Sequence, residues 1–191
     1  MEAKKFDLNG IGLSEKQINE HLKLYEGYVK KSEDIREKFG KANWEDANTT
    51  QSEIRSLILG ETFANNGVRL HEAYFENIGE ESESEGKLNN LVIEKFKTIE
   101  EFKKRIIAFG LSSRGWVILA WDFENNRLRL FGTDQHDIAV WNCAPLIVLD
   151  MYEHAYFIDF GTNKKAYIEW FLTHINWKVI EERMEKIKNG K

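Results

Sequence analysis

The run Trp116-Val117-Ile118-Leu119-Ala120-Trp121-Asp122-Phe123 is where the chain changes its hydrophobic period. Its β-favouring residues, the turn signal Glu124-Asn125-Asn126-Arg127 and a second such run, Leu128 to Phe131, predict a hairpin. Pro145 to Leu149 predicts a third strand, ended by Asp150. Upstream, Ser14-x-x-Gln17 has the form of a capping box, and Ile18, Leu22, Tyr25 and Val29 recur at helical spacing, so a helix is expected from 14 to about 39. A polar stretch, Gly40 to Thr49, leads to a second long helix opened by Thr50-x-x-Glu53 and carrying Ile54, Leu57, Ile58, Ala64, Gly67 and His71. Two long helices with a short polar connection make a helical hairpin. Leu88 to Phe96, then Thr98-x-x-Glu101 with Phe102, Ile106 and Phe109, predict two short helices ending near Gly110. Tyr167 to His174 and Val179 to Ile187 predict two closing ones. The fold class is therefore α+β: a long N-terminal helical hairpin, then a small three-stranded antiparallel sheet surrounded by helices. Residues 79–86, acidic and bounded by glycines, read as a solvated linker between an N-terminal part, 1–79, and a C-terminal part, 80–191. A metal-binding acidic loop is the other reading of that stretch.

Composition narrows the function classes. With 191 residues, 42% of them hydrophobic and 13% aromatic, the chain can bury a core without disulfide or metal staples. The longest apolar runs, Trp116 to Trp121 and Pro145 to Leu149, fall well short of the roughly 20 residues a bilayer span needs, so no membrane role is expected. The opening MEAKKFDLNGIG is charged and has no apolar segment of the secretory kind. The single Cys143 cannot form an internal disulfide, which fits a reducing cytoplasm. Twenty-seven basic against 32 acidic residues leave a net charge of −5, without the basic footprint of a nucleic-acid binder. A small-molecule or protein partner is expected.

Five histidines are present, at 21, 71, 136, 154 and 174. His21 and His71 fall inside the two hairpin helices, where antiparallel packing can bring both imidazoles into one gap. Asp150 ends an apolar strand four residues before His154, a spacing that can aim both side chains at one point. One carboxylate with three such histidines would make a three-nitrogen, one-oxygen site, suited to iron, manganese or zinc rather than calcium or magnesium. The plainer reading is that Asp150 caps a helix and His154 packs beside it. Spacing leaves both open.

The segment Asp150-Met-Tyr-Glu-His-Ala-Tyr-Phe157 resembles the D-x-W-E-H-A-Y-Y motif of the iron/manganese superoxide dismutases. Asn176-Trp177 with Arg183 resembles that family's trailing N-W-x-x-x-x-x-R, and Gly115-Trp116 its Gly-Trp after two short helices. Leu70-His71-Glu-Ala-Tyr74-Phe75 is similar to its second-helix pattern N-H-x-x-F-W, and His21 with Tyr28 to its first ligand and access tyrosine. Together these cover residues 13 to 187. The resemblance implies one manganese or iron ion per subunit, bound by His21, His71, Asp150 and His154 with a solvent molecule as fifth ligand, in a site between the two parts of the chain. It implies catalytic roles for Tyr28, as proton carrier, and for Gln135, hydrogen-bonded to that solvent. Gly67, at the position from which iron-type members supply a glutamine, makes with Gln135 a manganese-like pair. Trp116, Gly67, Tyr25 and Tyr152 would surround the ligands. Glu153 and Tyr156 would form the interface of a homodimer, or of a homotetramer, with Glu153 reaching the ligand histidine of the other subunit. Arg183, with Lys23, would steer superoxide toward the site.

Several residues depart from the family pattern. Tyr152 and Phe75 stand where tryptophans are usual, Tyr25 stands where a gateway histidine is usual, and the Y-x-x-x-A-L-E-P signature is absent. Tyr28 follows His21 by seven residues rather than eight, so the first helix is expected to lack a π-type bulge. The implied activity is dismutation of superoxide to dioxygen and hydrogen peroxide. Two other classes remain in view: a mononuclear iron oxygenase, which would use two histidines and a carboxylate, and a dismutase-like metal-binding scaffold with lost or changed activity.

Overall fold

The Ser14 hydroxyl accepts a hydrogen bond from the Gln17 backbone N–H at 3.1 Å, which starts α1 (Glu15–Phe39) in a computed structural model describing residues 2–80 and 86–189. The reciprocal half of the expected capping box is not made. The Gln17 side chain is fully buried and instead donates to the His154 carbonyl at 2.6 Å while accepting from the Ile158 N–H at 3.1 Å. It ties the start of α1 to the segment after the sheet. α1 is α-helical throughout, without a π turn.

A short 3-10 turn, Trp44–Asp46, precedes α2 (Glu53–Asn77). Here the expected cap is corrected: Ser52, not Thr50, accepts from the Arg55 N–H at 3.1 Å. Asn48 Oδ1 already binds the backbone N–H groups of Thr50 and Gln51, and that turn carries Thr50 away from the helix start. α1 and α2 pack as the expected hairpin, followed by α3 (Gly86–Phe96) and by α4 (Ile99–Ser112), which Thr98 caps. Residues 81–85 of the expected linker lie outside the described residues. The main apolar core runs continuously from Leu8 and Ile11 to Met184, with side chains from both sides of position 79.

The sheet has the order β2-β1-β3, all antiparallel, from β1 (Trp116–Asp122), β2 (Arg127–Thr133) and β3 (Cys143–Asp150). β1 is buried along its whole length, which is why it reads as an unbroken apolar run rather than an alternating one. Its first residue, Trp116, pairs with both Thr133 and Asp150, so one end of the sheet presents the start of β1 beside the last residue of β3. The β1–β3 register shifts between Leu119 and Ala120, leaving Leu146 as the extra residue on β3. Its carbonyl accepts from Arg183 Nη1 at 2.6 Å and Asn77 Nδ2 at 3.3 Å, while Asn77 Oδ1 accepts from the Val148 N–H at 2.6 Å. α5 (Phe157–Phe160), α6 (Lys164–Thr173) and α7 (Trp177–Lys188) close the structure. Among the described residues no helix is long and apolar enough to cross a membrane.

Asn77 is fully buried and joins α2 to β3 through two hydrogen bonds. Asn77→Ala leaves the Val148 N–H without a partner and should destabilise the protein by about 2 kcal/mol in denaturant unfolding. An unchanged midpoint would remove Asn77 as the joint.

Candidate metal centre

Four elements each supply one donor. His21 lies in α1, His71 in α2, Asp150 ends β3, and His154 sits in the 3-10 turn Glu153–Ala155 that follows. Their donor atoms lie within 4.8 Å of one another. Asp150 Oδ2 is 3.2 Å from His21 Nε2, 3.1 Å from His154 Nε2 and 3.6 Å from His71 Nε2. The helix-cap reading of Asp150 is set aside by this geometry: its Oδ1 accepts from the Tyr152 N–H at 2.9 Å, while Oδ2 faces the three imidazoles.

Burial decides the charge state. His71 is pushed down to about 3 by burial, against the opposing pull of Asp150, and burial lowers His21 in the same way. Burial alone would raise Asp150, but the neighbouring His154 and His21 hold it below the usual carboxylate range. The centre therefore sets an ionised carboxylate beside two imidazoles, His21 and His71, that burial keeps neutral, the protonation state that binds metal. One atom tests the fit directly. His71 Nδ1 donates to the Gly67 carbonyl at 2.6 Å, which leaves Nε2 unprotonated, buried and, among the described residues, without a hydrogen-bond partner. An orphaned imidazole nitrogen 3.6 Å from a carboxylate oxygen is what a cation between them would satisfy. Three nitrogens and one oxygen suit iron, manganese or zinc.

Beside the donors lies a hydrogen-bonded chain. Trp116 Nε1 donates to His136 Nδ1 at 2.9 Å, so the proton of the neutral ring is on Nε2, and Nε2 donates to the Tyr28 hydroxyl at 2.9 Å. Burial lowers the pKa of His136, which favours this neutral form. The expectation for Gln135 is corrected here: it is exposed on the loop after β2, and the buried position next to the donors belongs to His136, one residue on. Thr133 Oγ1 donates to the Gln135 carbonyl at 3.0 Å, which holds the loop so that His136 turns inward. The signal available in the sequence was His136 itself, a second histidine near His154 in the C-terminal half and directly beside Gln135. Gly67 makes room for Tyr28: a Cβ there would lie 3.0 Å from Tyr28 Cδ1.

The remaining expected residues divide. Trp116 packs edge-on to His71 with ring centres 5.1 Å apart, and Tyr152 stacks on His154 at 5.3 Å, its pKa pushed up to about 12 by burial and by Asp150. Tyr25 is fully buried; its hydroxyl donates to Glu72 at 2.9 Å and accepts from the Lys4 N–H at 2.9 Å. Phe75 lies 4.8 Å from the His21 ring. Glu153 is exposed, whereas Tyr156 is buried and stacks on Tyr167 at 5.0 Å. Arg183 does not offer a free cation. It is bound to Glu76 Oε2 at 2.8 Å and to the carbonyls of Leu146 and Ala73, so it works as a clamp between α7, α2 and β3. Lys23 is exposed on α1. Sequence reading missed Tyr167, whose hydroxyl donates to the Asp150 carbonyl at 2.8 Å and lies 3.0 Å from that of Tyr74. An aromatic at helical spacing carries no signal of such a bond.

Comparison with known proteins meets this geometry. A family model described as iron/manganese superoxide dismutases, C-terminal domain, matches residues 84–183. A protein of Aquifex aeolicus named as an iron superoxide dismutase is 38% identical over 182 residues, covering 92% of this chain and 85% of its own. A Cupriavidus metallidurans protein of the same name is 30% identical over 171 residues, 87% of this chain and 86% of its own. One from Halobacterium salinarum, named as a manganese superoxide dismutase, is 28% identical over 155 residues, 75% and 78% of the two chains. With this extent of similarity and a buried three-histidine, one-aspartate cluster, the chain belongs to the iron/manganese superoxide dismutase family.

Proposed function

We propose that this chain dismutates superoxide, using one iron or manganese ion per subunit held by His21, His71, Asp150 and His154. The observation that carries the reading is the buried donor set with an unpartnered His71 Nε2, in a chain similar over most of its length to proteins named superoxide dismutase. The chemistry a bound ion supplies is a one-electron M(III)/M(II) couple: one superoxide is oxidised to dioxygen, and a second, taking that electron and two protons, becomes hydrogen peroxide. Three neutral imidazoles and one carboxylate reduce the ion's charge by one, which moderates its potential without fixing either oxidation state.

The chain's own residues supply protons and shape. Tyr28 Oη accepts from His136, so its own proton is free to be donated to the departing peroxide. Burial and the Asp150 charge raise the Tyr28 pKa, which keeps that proton in place at neutral pH. Tyr28 also lines a recess of about 280 Å³ between α1 and α2, with Lys31, Lys38, Ser56 and Phe63, through which solvent can return the proton. Lys31 is 3.9 Å from Asp34, and Lys38 on the same recess gives the acidic chain a local positive site for an anionic substrate. Trp116, Phe75 and Tyr152 exclude bulk water around the donors. The four donors and the Trp116–His136–Tyr28 chain together favour an active enzyme over an inactive scaffold, and the third histidine disfavours an oxygenase.

The working form in this reading is a cytoplasmic homodimer, the site lying between residues 1–79 and 80–191 of each subunit. His154 keeps 28% of its side chain exposed, and Phe157, Ile158 and Glu153 are exposed beside it. A Glu153 carboxylate reaching the partner's His154 would cover that edge and fix the ring.

Two measurements test these roles. Asp150→Ala should lose both bound metal and superoxide consumption, while His136→Ala should keep the metal and lower turnover by about tenfold or more; full turnover in either variant contradicts its role. Light scattering at low concentration should show Glu153→Ala shifted toward monomer, and an unchanged mass would count against the cross-subunit contact.

A further inference from the structure

On a chain with net charge −5, one recess concentrates positive charge. Lys95 near the end of α3, Arg105 in α4, and Arg127 and Arg129 in β2 line a cavity of about 210 Å³, together with Phe96, Phe109, Leu128 and Leu130. Three separate elements contribute to it, so the convergence is tertiary and not a charged run along one helix.

The four cations are not equally occupied. Arg129 is neutralised by Asp122, whose Oδ2 accepts from Nε at 2.9 Å and Nη2 at 2.7 Å. The Arg105 guanidinium lies 5.9 Å from the centre of the Phe96 ring, a contact that orients it without cancelling its charge. Lys95, Arg105 and Arg127 have no carboxylate partner among the described residues. Like charges gathered around one cavity repel, and an anion of matching size removes that repulsion.

The donor geometry narrows the anion. Planar guanidinium forks from two elements match the oxygens of a phosphoryl group, with Lys95 as a point charge beside them. The half-exposed Phe109 and Leu130 add an apolar wall that a bare ion would leave unused. A cavity of about 210 Å³ lies below the 300–1,000 Å³ typical for drug-sized ligands, so the occupant is compact. Superoxide is not that occupant. The recess is lined by Arg127 to Leu130, toward the Asp122–Arg127 end of the hairpin, whereas the metal donors flank the Trp116–Thr133 end, about 10 to 20 Å away at the rise of a β-strand.

We infer that this recess is a binding site for a small organic phosphate, its phosphoryl group held by Lys95, Arg105 and Arg127 and its apolar or aromatic body lying on Phe109 and Leu130. The test is calorimetric titration of the metal-loaded protein with phenyl phosphate and, separately, with inorganic phosphate. Phenyl phosphate should saturate one site per chain more tightly than inorganic phosphate does. The double variant Arg105→Ala/Arg127→Ala should weaken binding by about tenfold or more while consuming superoxide at the unaltered rate, which shows that it folds and holds metal. No saturable binding up to roughly 10 mM, or equal binding by the double variant, would overturn the site. Equal affinity for the two probes would overturn its assignment to an organic phosphate.

Discussion

The Asp150 carboxylate is fully buried and faces three imidazole nitrogens, and the rest of the structure is arranged around that charge. Removing an ion from water costs several kcal/mol unless a partner compensates. Within the centre burial keeps His21 and His71 neutral, so a cation held among the four donors would balance that charge. Everything that aims those donors serves this requirement. The hairpin brings His21 and His71 to ring centres 5.2 Å apart, the end of β3 delivers Asp150, and the turn after it returns His154. Tyr152 N–H fixes one carboxylate oxygen and Tyr167 the backbone carbonyl, leaving Oδ2 directed inward.

A second layer of contacts keeps the centre from shifting. Gln17 joins α1 to the turn that carries His154. On the other side, Lys4 Nζ bridges Glu72 at 2.8 Å and Glu76 at 3.0 Å, and Glu76 also holds Arg183. The Tyr25 hydroxyl enters this network through Glu72 and the Lys4 N–H. A tyrosine at the position of a gateway histidine is thereby explained: it anchors the N-terminal segment over the hairpin, with Phe6 packed at 5.7 Å, and is not available as an open gate. The free hydroxyl proton near the donors is on Tyr28, and it depends on Gly67, because any side chain there would press on the Tyr28 ring.

Much of this is legible in the sequence alone. The period change at Trp116, the helical stripes of the first two helices and the Asp150-to-His154 spacing lead to the observed element order. What remained hidden was set by contacts distant in sequence or by one-residue choices. Ser52 displaces Thr50 as a cap because Asn48 organises the turn before it. His136 displaces Gln135 because the Thr133 bond to the loop carbonyl sets which side chain points inward, a detail below the resolution of residue spacing. Arg183 reads as a free cation until the β3 bulge presents the Leu146 carbonyl and α2 presents Glu76. In each case the missing information was a backbone group's direction, which composition and periodicity do not carry.

The most direct test of the account is elemental analysis of the purified protein, with superoxide consumption measured on the same sample. The buried donor set predicts about one iron or manganese ion per chain and activity that scales with metal content. A protein that stays metal-free and inactive after reconstitution with either ion would contradict it, because the Asp150 charge and the His71 Nε2 lone pair would then be stable without the cation they are arranged to bind.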